Sequence, residues 1–250
     1  MKYNFTVSPD FNPSHLSGWF IFNTWMQRNL GEHIHLDLYN DFEAQREAIA
    51  EDKFDLIYAN PYDATTLVRE KGFIPVASPS SKSDEAIIAV PVDSPIQKVE
   101  DLAPGLRISA TDDPDVNMMC MIMLEPADLD DKNTVSSTRD TYILVAKDLI
   151  KDDADVGFFL EETYNDLSSV VRSQLRLLVQ SQIHVINHVL LMGPRLKHKH
   201  KELSDALTAM EGNPSGSGVL KSLNFESWNI VEQEETEFMI DLMDTLETSE

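Results

Sequence analysis

The stretch Asp41–Pro79, DFEAQREAIAEDKFDLIYANPYDATTLVREKGFIPVASP, decides the fold. At its centre, Asp55–Tyr62 (DLIYANPY) is a short apolar run that breaks abruptly into polar and aromatic residues. Phe42–Glu51 before it and Asp63–Lys71 after it have helical spacing, and Gly72 stops the second. A continuous apolar run between two helices is the pattern of a parallel strand covered on both faces. In such open α/β sheets a ligand sits where a strand's carboxyl end meets the next helix's amino terminus. Asn60, Pro61 and Tyr62 hold that place, so the segment points to small-molecule binding.

Working outward, Tyr3–Val7 alternates apolar with polar residues and is broken by Ser8-Pro9-Asp10, as a first strand ends. A helix is expected from about Ser14 to Leu30, a strand over Ile34–Tyr39, and another over Phe73–Ala77. Ala86–Val92 is a further apolar run. It is followed by Val99–Leu102, a strand Arg107–Thr111, a loop Asp112–Asp115 and a helix Val116–Leu124. Thr141–Ile150 is helical in pattern, Asp155–Leu160 is a buried strand, and Asn165–Ser173 is a helix. Asp155-Val-Gly-Phe-Phe-Leu-Glu-Glu-Thr-Tyr164 echoes Asp55–Tyr62: Asp opens a short apolar strand, an aromatic follows, and a helix lies beyond. Two related α/β lobes are the simplest account.

Leu175–Val179 and His184–Met192 have strand character and are placed to cross back between the lobes. Leu203, Ala206, Leu207 and Met210 form a helical stripe, and Asn213–Gly218 is a turn leading to a short helix around Leu220 and Leu223. Phe238, Met239, Leu242, Met243 and Leu246 form the apolar face of a closing helix, with a frayed tail over Glu247–Glu250. The expected division is residues 1–88 plus 188–250 as lobe one and residues 89–187 as lobe two.

At 250 residues, 42% apolar and 25% charged, the chain has the composition of a globular protein with a sizeable core. Its net charge of −23 argues against duplex DNA, RNA and anionic membranes, which need clustered Lys and Arg. Cys120 is the only cysteine, so neither an internal disulfide nor a thiolate metal cluster is available. It lies among Met118, Met119, Met121 and Met123 and is expected as a packed core thiol. No apolar run approaches the ~20 residues of a membrane span. The amino terminus enters a strand pattern without a signal peptide. A cytoplasmic protein is expected if Met1 is the native start, and a periplasmic one if an export signal has been removed.

The order of elements resembles the phosphonate/phosphite/phosphate-type substrate-binding proteins of ABC transporters, within the class II periplasmic binding protein superfamily. The resemblance rests on the first strand ending in Ser8-Pro9-Asp10, the Asp41–Ala50 helix, and Lys53-Phe-Asp55 leading into Tyr58, Asn60, Pro61 and Tyr62. Gly72–Ala77, Ser94–Leu102, Arg107–Ala110, Asp153–Gly157 and Asn213–Leu223 extend it over nearly the whole chain. It implies an α/β fold of two lobes, each a mixed sheet flanked by helices, joined by two hinge crossovers, with the ligand held in the cleft. One place departs from the family. Phosphonate binders carry a hydroxyl- and Gly-rich turn at the start of the lobe-two helix, where this chain has Thr111-Asp-Asp-Pro-Asp-Val-Asn-Met118. Carboxylates close to an oxyanion repel it. Either they point away and only helix amides face the ligand, or the ligand differs.

The candidate ligand-binding residues follow from these junctions. Tyr58, Asn60 and Tyr62 offer aromatic walls and a polar group, the usual lining of a small-molecule site. Their alternative roles are core packing for Tyr58 and helix capping for Asn60. Asp10, with Pro9 and Asn12, precedes the first helix and serves either a ligand or a cap. Thr111, Asp112 and Asn117 follow the same logic in the second half. Arg139, beside Ser136-Ser-Thr138, has the planar fork that pairs with a ligand carboxylate or phosphonate, or it neutralises Asp140 or another neighbour. Glu161 closes the strand that echoes Asp55–Asn60. The pairs His33/His35, His184/His188 and His198/His200 lack the companions of a metal site. Walker loops, GxGxxG fingerprints and nucleophile elbows are absent, so no cofactor is expected.

The leading expectation is a non-catalytic protein that closes two lobes around a small anionic or polar solute, for uptake or sensing. Its partners are the solute and a transporter permease or sensor protein, with no nucleic acid and no membrane insertion. The alternative is a cytosolic enzyme on the same fold, of the menaquinone- or thiamine-pathway type. The cysteine-rich motif of the latter is missing here, and no His falls at an expected strand-to-helix junction.

Overall fold

A computed structural model describes residues 2–247. In chain order it holds β1 (Lys2–Val7), α1 (Leu16–Leu30), β2 (His33–Asp37), α2 (Phe42–Ala50), β3 (Leu56–Ala59), α3 (Pro61–Arg69) and β4 (Ile74–Pro79). There follow β5 (Ala86–Pro91), β6 (Arg107–Ala110), α4 (Pro114–Leu124), β7 (Val135–Thr138), α5 (Tyr142–Ile150), β8 (Val156–Leu160), α6 (Glu161–Asp166), α7 (Ser169–Arg172) and β9 (Leu175–Gln180). The chain ends with β10 (Val189–Met192), α8 (His200–Thr208), α9 (Pro214–Leu223), β11 (Trp228–Ile230) and α10 (Gln233–Glu247). Two compact units result: Met1–Ser83 with Asn187–Asp244, and a second built on Asp84–Ile186.

The first unit carries a six-stranded sheet in the order β11-β4-β10-β3-β1-β2. β1 runs parallel to β2 and β3, while β10 lies antiparallel between β3 and β4. The second unit carries a five-stranded sheet, β7-β6-β8-β5-β9. There β6 is parallel to β7 and β8, and β5 is the antiparallel insertion. The two sheets share one plan: three parallel strands, with the first in sequence in the middle, then one reversed strand.

The two aspartates that open β3 and β8 explain why the sequence repeats itself. The Asn4 amide donates to Asp55 Oδ2 at 3.0 Å, and the Asp55 amide donates back to the Asn4 carbonyl at 2.9 Å. In the second unit the Arg107 amide donates to Asp155 Oδ2 at 2.8 Å, and the Asp155 amide to the Arg107 carbonyl at 2.9 Å. Each carboxylate thus ties the start of its strand to the neighbouring parallel strand, satisfying a backbone donor there.

Apolar side chains on the strands then meet the helices. In the first unit Phe5, Trp19, Phe22, Trp25, Tyr58 and Trp228 are buried in one aromatic cluster. Gly18 lets α1 lie directly against α9, because a Cβ there would strike the Ser222 carbonyl. At the sheet's edge, Asn23 Nδ2 donates to the Ile34 carbonyl at 3.1 Å, and the Ile34 amide donates to Gln27 Oε1 at 3.2 Å. Helix α1 therefore occupies backbone groups that an edge strand otherwise presents to other chains. In the second unit Ile87, Ile88, Ile108, Val145, Val156 and Phe159 are buried, with Cys120 among them.

Several expectations are corrected. The strand expected over His184–Met192 forms only at Val189–Met192. Residues before it make an irregular connection in which His184 has φ 60° and the buried Glu85 carboxylate accepts the Ile183 and His184 amides. The single helix expected over Asn165–Ser173 is two, α6 and α7, separated where Leu167 turns extended and Ser168 caps anew. Asn213–Gly218 is not a turn before a helix: Asn213 caps α9, and Pro214 is its first residue. Two strands were unforeseen, the solvent-facing β7 and the three-residue β11. On α10, Met239 and Met243 are buried as expected, but Phe238 is 62% exposed. Of the tail expected to fray over Glu247–Glu250, Glu247 ends α10, and the rest lies outside the described residues.

Candidate functional site

The parallel strands of each unit end on one sheet edge, and the expected site residues gather there. In the first unit that edge is formed by the ends of β1, β3 and β4 and, because β10 is antiparallel with Val189 opposite Ala59, by the start of β10. Ser8, Asp10, Asn60, Tyr62 and His188 all stand along it.

Asn60 is fully buried and caps α3, its Oδ1 accepting the Asp63 amide at 2.7 Å. Its Nδ2 donates to Asp63 Oδ2 at 2.9 Å and to Ser8 Oγ at 3.2 Å. The side chain ties β1 to α3, with both its oxygen and its nitrogen engaged. Asp63 passes the link on to Arg46, whose Nε lies 2.6 Å from Asp63 Oδ1. The Arg46 guanidinium sits 4.8 Å from the centroid of Tyr62. Tyr62 is 39% exposed, an aromatic face held at the rim from behind. Tyr58 lies inward, packed on Trp19 at 4.7 Å between ring centroids and stacked on His188 at 5.2 Å.

Asp10 is nearly enclosed, and His188 Nε2 lies 2.9 Å from its Oδ2. Burial pushes the Asp10 carboxyl upward, but it is outweighed by the charge of His188 and by hydrogen bonds from His188, Ser8 and the Asp10 backbone amide. Together these hold it below the usual value of 3.8. The histidine was read from the sequence only as half of a rejected metal pair. Asp10 and His188 are 178 residues apart, and only the insertion of β10 beside β3 brings them together.

In the second unit the ends of β6, β7 and β8 bring Thr111, Asp112, Asn117, Arg139 and Glu161 to one sheet edge. The Thr111 hydroxyl and the Asn117 Oδ1 are buried and have no hydrogen-bond partner among the described residues. Asn117 Nδ2 donates to the Thr111 carbonyl at 2.9 Å, which fixes the two relative to each other. The acidic turn resolves into separate roles. Asp113 caps α4, accepting the Val116 amide at 3.2 Å, and its other oxygen accepts the Tyr142 hydroxyl at 2.8 Å. Asp115 is buried, and Asp112 alone of the three is exposed.

Arg139 follows β7 and donates from Nε to Asp148 Oδ2 at 2.6 Å and from Nη1 to the Thr138 carbonyl at 3.0 Å. Asp148 also accepts the Ser109 hydroxyl at 2.7 Å. Its acid partner is thus Asp148 rather than the adjacent Asp140. Glu161 begins α6 half-exposed, its amide held by the Glu85 carbonyl at 2.8 Å. Burial, with the Asp113 carboxylate nearby, keeps the Cys120 thiol well above its usual pKa, which suits packing and not nucleophilic chemistry.

Two mixed α/β units of one topology, each gathering polar and aromatic side chains at its strand-carboxyl edge, define the fold of the two-lobed periplasmic binding proteins. A sequence profile of the family described as "ABC transporter, phosphonate, periplasmic substrate-binding protein" matches residues 5–236, and the chain belongs to that family. Solved structures agree on the fold. It is similar to PhnD1 of Prochlorococcus marinus in complex with methylphosphonate, at 14% identity and TM-score 0.82, covering 98% of both chains. It also resembles a binding protein component of an ABC phosphonate transporter from Pseudomonas aeruginosa, at 18% identity and TM-score 0.78, over 98% of this chain and 85% of that one. The periplasmic aliphatic sulphonate binding protein SsuA of Escherichia coli superimposes with TM-score 0.67 at 14% identity, over 99% of this chain and 92% of that one. No curated protein matches the sequence. No helix among the described residues is long and apolar enough to cross a membrane.

Proposed function

We propose that this chain is the solute-capturing component of an ABC importer, binding a small phosphonate or sulfonate-like oxyanion without transforming it. Bound solute passes to a permease partner, and the protein works on the periplasmic side of the membrane, as its family does. The observation that carries the reading is the pair of unpartnered polar atoms at the β6–α4 junction. A buried hydroxyl and a buried carboxamide oxygen without partners are costly unless a ligand or water completes them. Thr111 offers a donor to an oxyanion, and Asn117 an acceptor to a hydroxyl or ammonium on the same solute. In the same unit Arg139, anchored on Asp148, supplies positive charge at the end of β7.

This arrangement replaces the hydroxyl-rich turn of the family. Because Asp113 is folded onto its own helix, its carboxylate takes the Val116 amide, and side chains rather than that amide are left to recognise solute. The enzyme alternative draws no support from the family match, which describes a binding component. Thermal-shift and native mass-spectrometric titration with methylphosphonate, phosphate, phosphite and short alkanesulfonates tests the proposal. At least one should raise the melting temperature and be recovered unchanged, and Thr111→Val should weaken it about tenfold, the effect of one lost hydrogen bond to a charged group. Chemical conversion of the solute, or silence across the panel, overturns the reading.

A further inference from the structure

We propose that Glu85 is the latch of a two-state crossover: its buried carboxylate holds residues 181–186 bent, and release of that bend alters how tightly solute is held. The latch lies within the second unit, and its effect on affinity rests on the binding reading above. The chain enters this unit at Asp84 and leaves it at Ile186, and the Asp84 amide donates to the Ile186 carbonyl at 2.8 Å. Glu85 therefore stands at the root of both connections. Its side chain is 2% exposed, and no lysine or arginine pairs with it among the described residues. Its donors come from the returning connection instead. Oε1 accepts the His184 amide at 2.6 Å and lies 3.4 Å from His184 Nδ1. Oε2 accepts the Ile183 amide at 3.2 Å and the Ser181 hydroxyl. Ser181 Oγ in turn accepts the Ala86 amide at 2.9 Å, so the carboxylate fastens the outgoing chain to the start of β5.

The bend is imposed rather than intrinsic. Ile183–Met192 (IHVINHVLLM) is rich in β-branched residues and reads as a strand from His184, yet the strand begins only at Val189. His184 adopts φ 60°, a left-handed conformation that costs a residue bearing a Cβ unless its surroundings enforce it. Its side chain is 70% exposed, so core packing does not enforce that conformation; the carboxylate on its amide does. Local preference and observed conformation thus oppose each other at a connection between units, the condition under which a segment has two forms of similar stability. In the bent form Glu85 satisfies the Ile183 and His184 amides. In the extended form His184 relaxes to negative φ, and those amides turn to water. Solute shifts such an equilibrium only by binding one form better. A change that favours the bent form must then move affinity one way, and a change that favours the extended form the other.

The test uses two substitutions of opposite sign in the full chain. Glu85→Gln keeps the shape but removes the charge that the two amides and the hydroxyl meet. His184→Gly keeps the amide and removes the cost of the left-handed conformation. In hydrogen–deuterium exchange, protection of the amides of residues 183 and 184 should fall about tenfold in Glu85→Gln. It should rise about threefold in His184→Gly, with β5 and β9 unchanged in both. Ser181→Ala, which removes one donor to the carboxylate, should also lower protection, and it serves if Glu85→Gln does not fold. Calorimetric titration of the same proteins with methylphosphonate and methanesulfonate should give affinities displaced from wild type in opposite directions, each by about threefold or more. Wild-type affinity in both variants, or affinity lowered alike in both, would make Glu85 a structural tie and overturn the inference while leaving the binding function standing. Binding of neither oxyanion by the wild type removes the capture reading; protection unchanged in both variants removes the latch.

Discussion

Replacing Asp155 by Asn isolates what one side chain contributes to the start of a strand. Its carboxylate accepts the Arg107 backbone amide, and Arg107 Nη2 lies 2.6 Å from Oδ1. Partial burial raises the Asp155 pKa, but the hydrogen bonds and charge of Arg107 outweigh this and leave it below 3.8. A carboxyl lowered in the folded state stabilises above its unfolded pKa, and that contribution is lost as pH falls through the lower folded value. Asp155→Asn should therefore cost about 1–2 kcal/mol in urea unfolding at pH 7, and the gap from wild type should close as pH falls below about 4. A gap that stays constant however far the pH falls below 3.8 would place the loss in packing. The residue was legible because Asp opens both echoing strands. The Asp10–His188 pair was not, because nothing local marks residues 178 positions apart as neighbours.

Elements were legible where burial made them periodic. β3 reads LIYA with every residue buried, and β8 reads VGFFL likewise. β7 escaped because VSST at a sheet edge is mostly exposed and carries no alternation. The close approach of α1 and α9 was also hidden, since Gly18 and Gly218 look alike in sequence. Their environments differ. A Cβ at Gly18 would strike the Ser222 carbonyl, whereas nothing lies within 4 Å of one at Gly218. Gly18→Ala should thus destabilise by about 1–3 kcal/mol as the helices are forced apart. Gly218→Ala, within α9, should instead gain up to about 1 kcal/mol from helix propensity. Chemical denaturation of the two variants checks the contrast, and equal effects would mean that the helices do not pack through Gly18.

At the scale of the whole molecule, a chain of net charge −23 is assigned the capture of an anion, and the two facts must be reconciled. Long-range repulsion acts on the approach of the solute, while short-range donors act once it has arrived, and salt separates the two. The screening length is about 30 Å at 0.01 M ionic strength and about 8 Å at 0.15 M, so the field of distant carboxylates is largely removed at physiological salt. Local hydrogen bonds and close charge pairs persist. The association rate for methylphosphonate should therefore rise several-fold between about 0.01 and 0.15 M salt, the reverse of electrostatic steering, while the dissociation rate changes little. Stopped-flow measurement through tryptophan fluorescence is practicable because Trp19 and Trp228 both pack against Tyr58, one residue before the carboxyl end of β3. An association rate that instead falls with salt would mean that a local positive field at the sheet edges outweighs the global charge. In that case the acidic residues serve solubility alone and leave capture untouched.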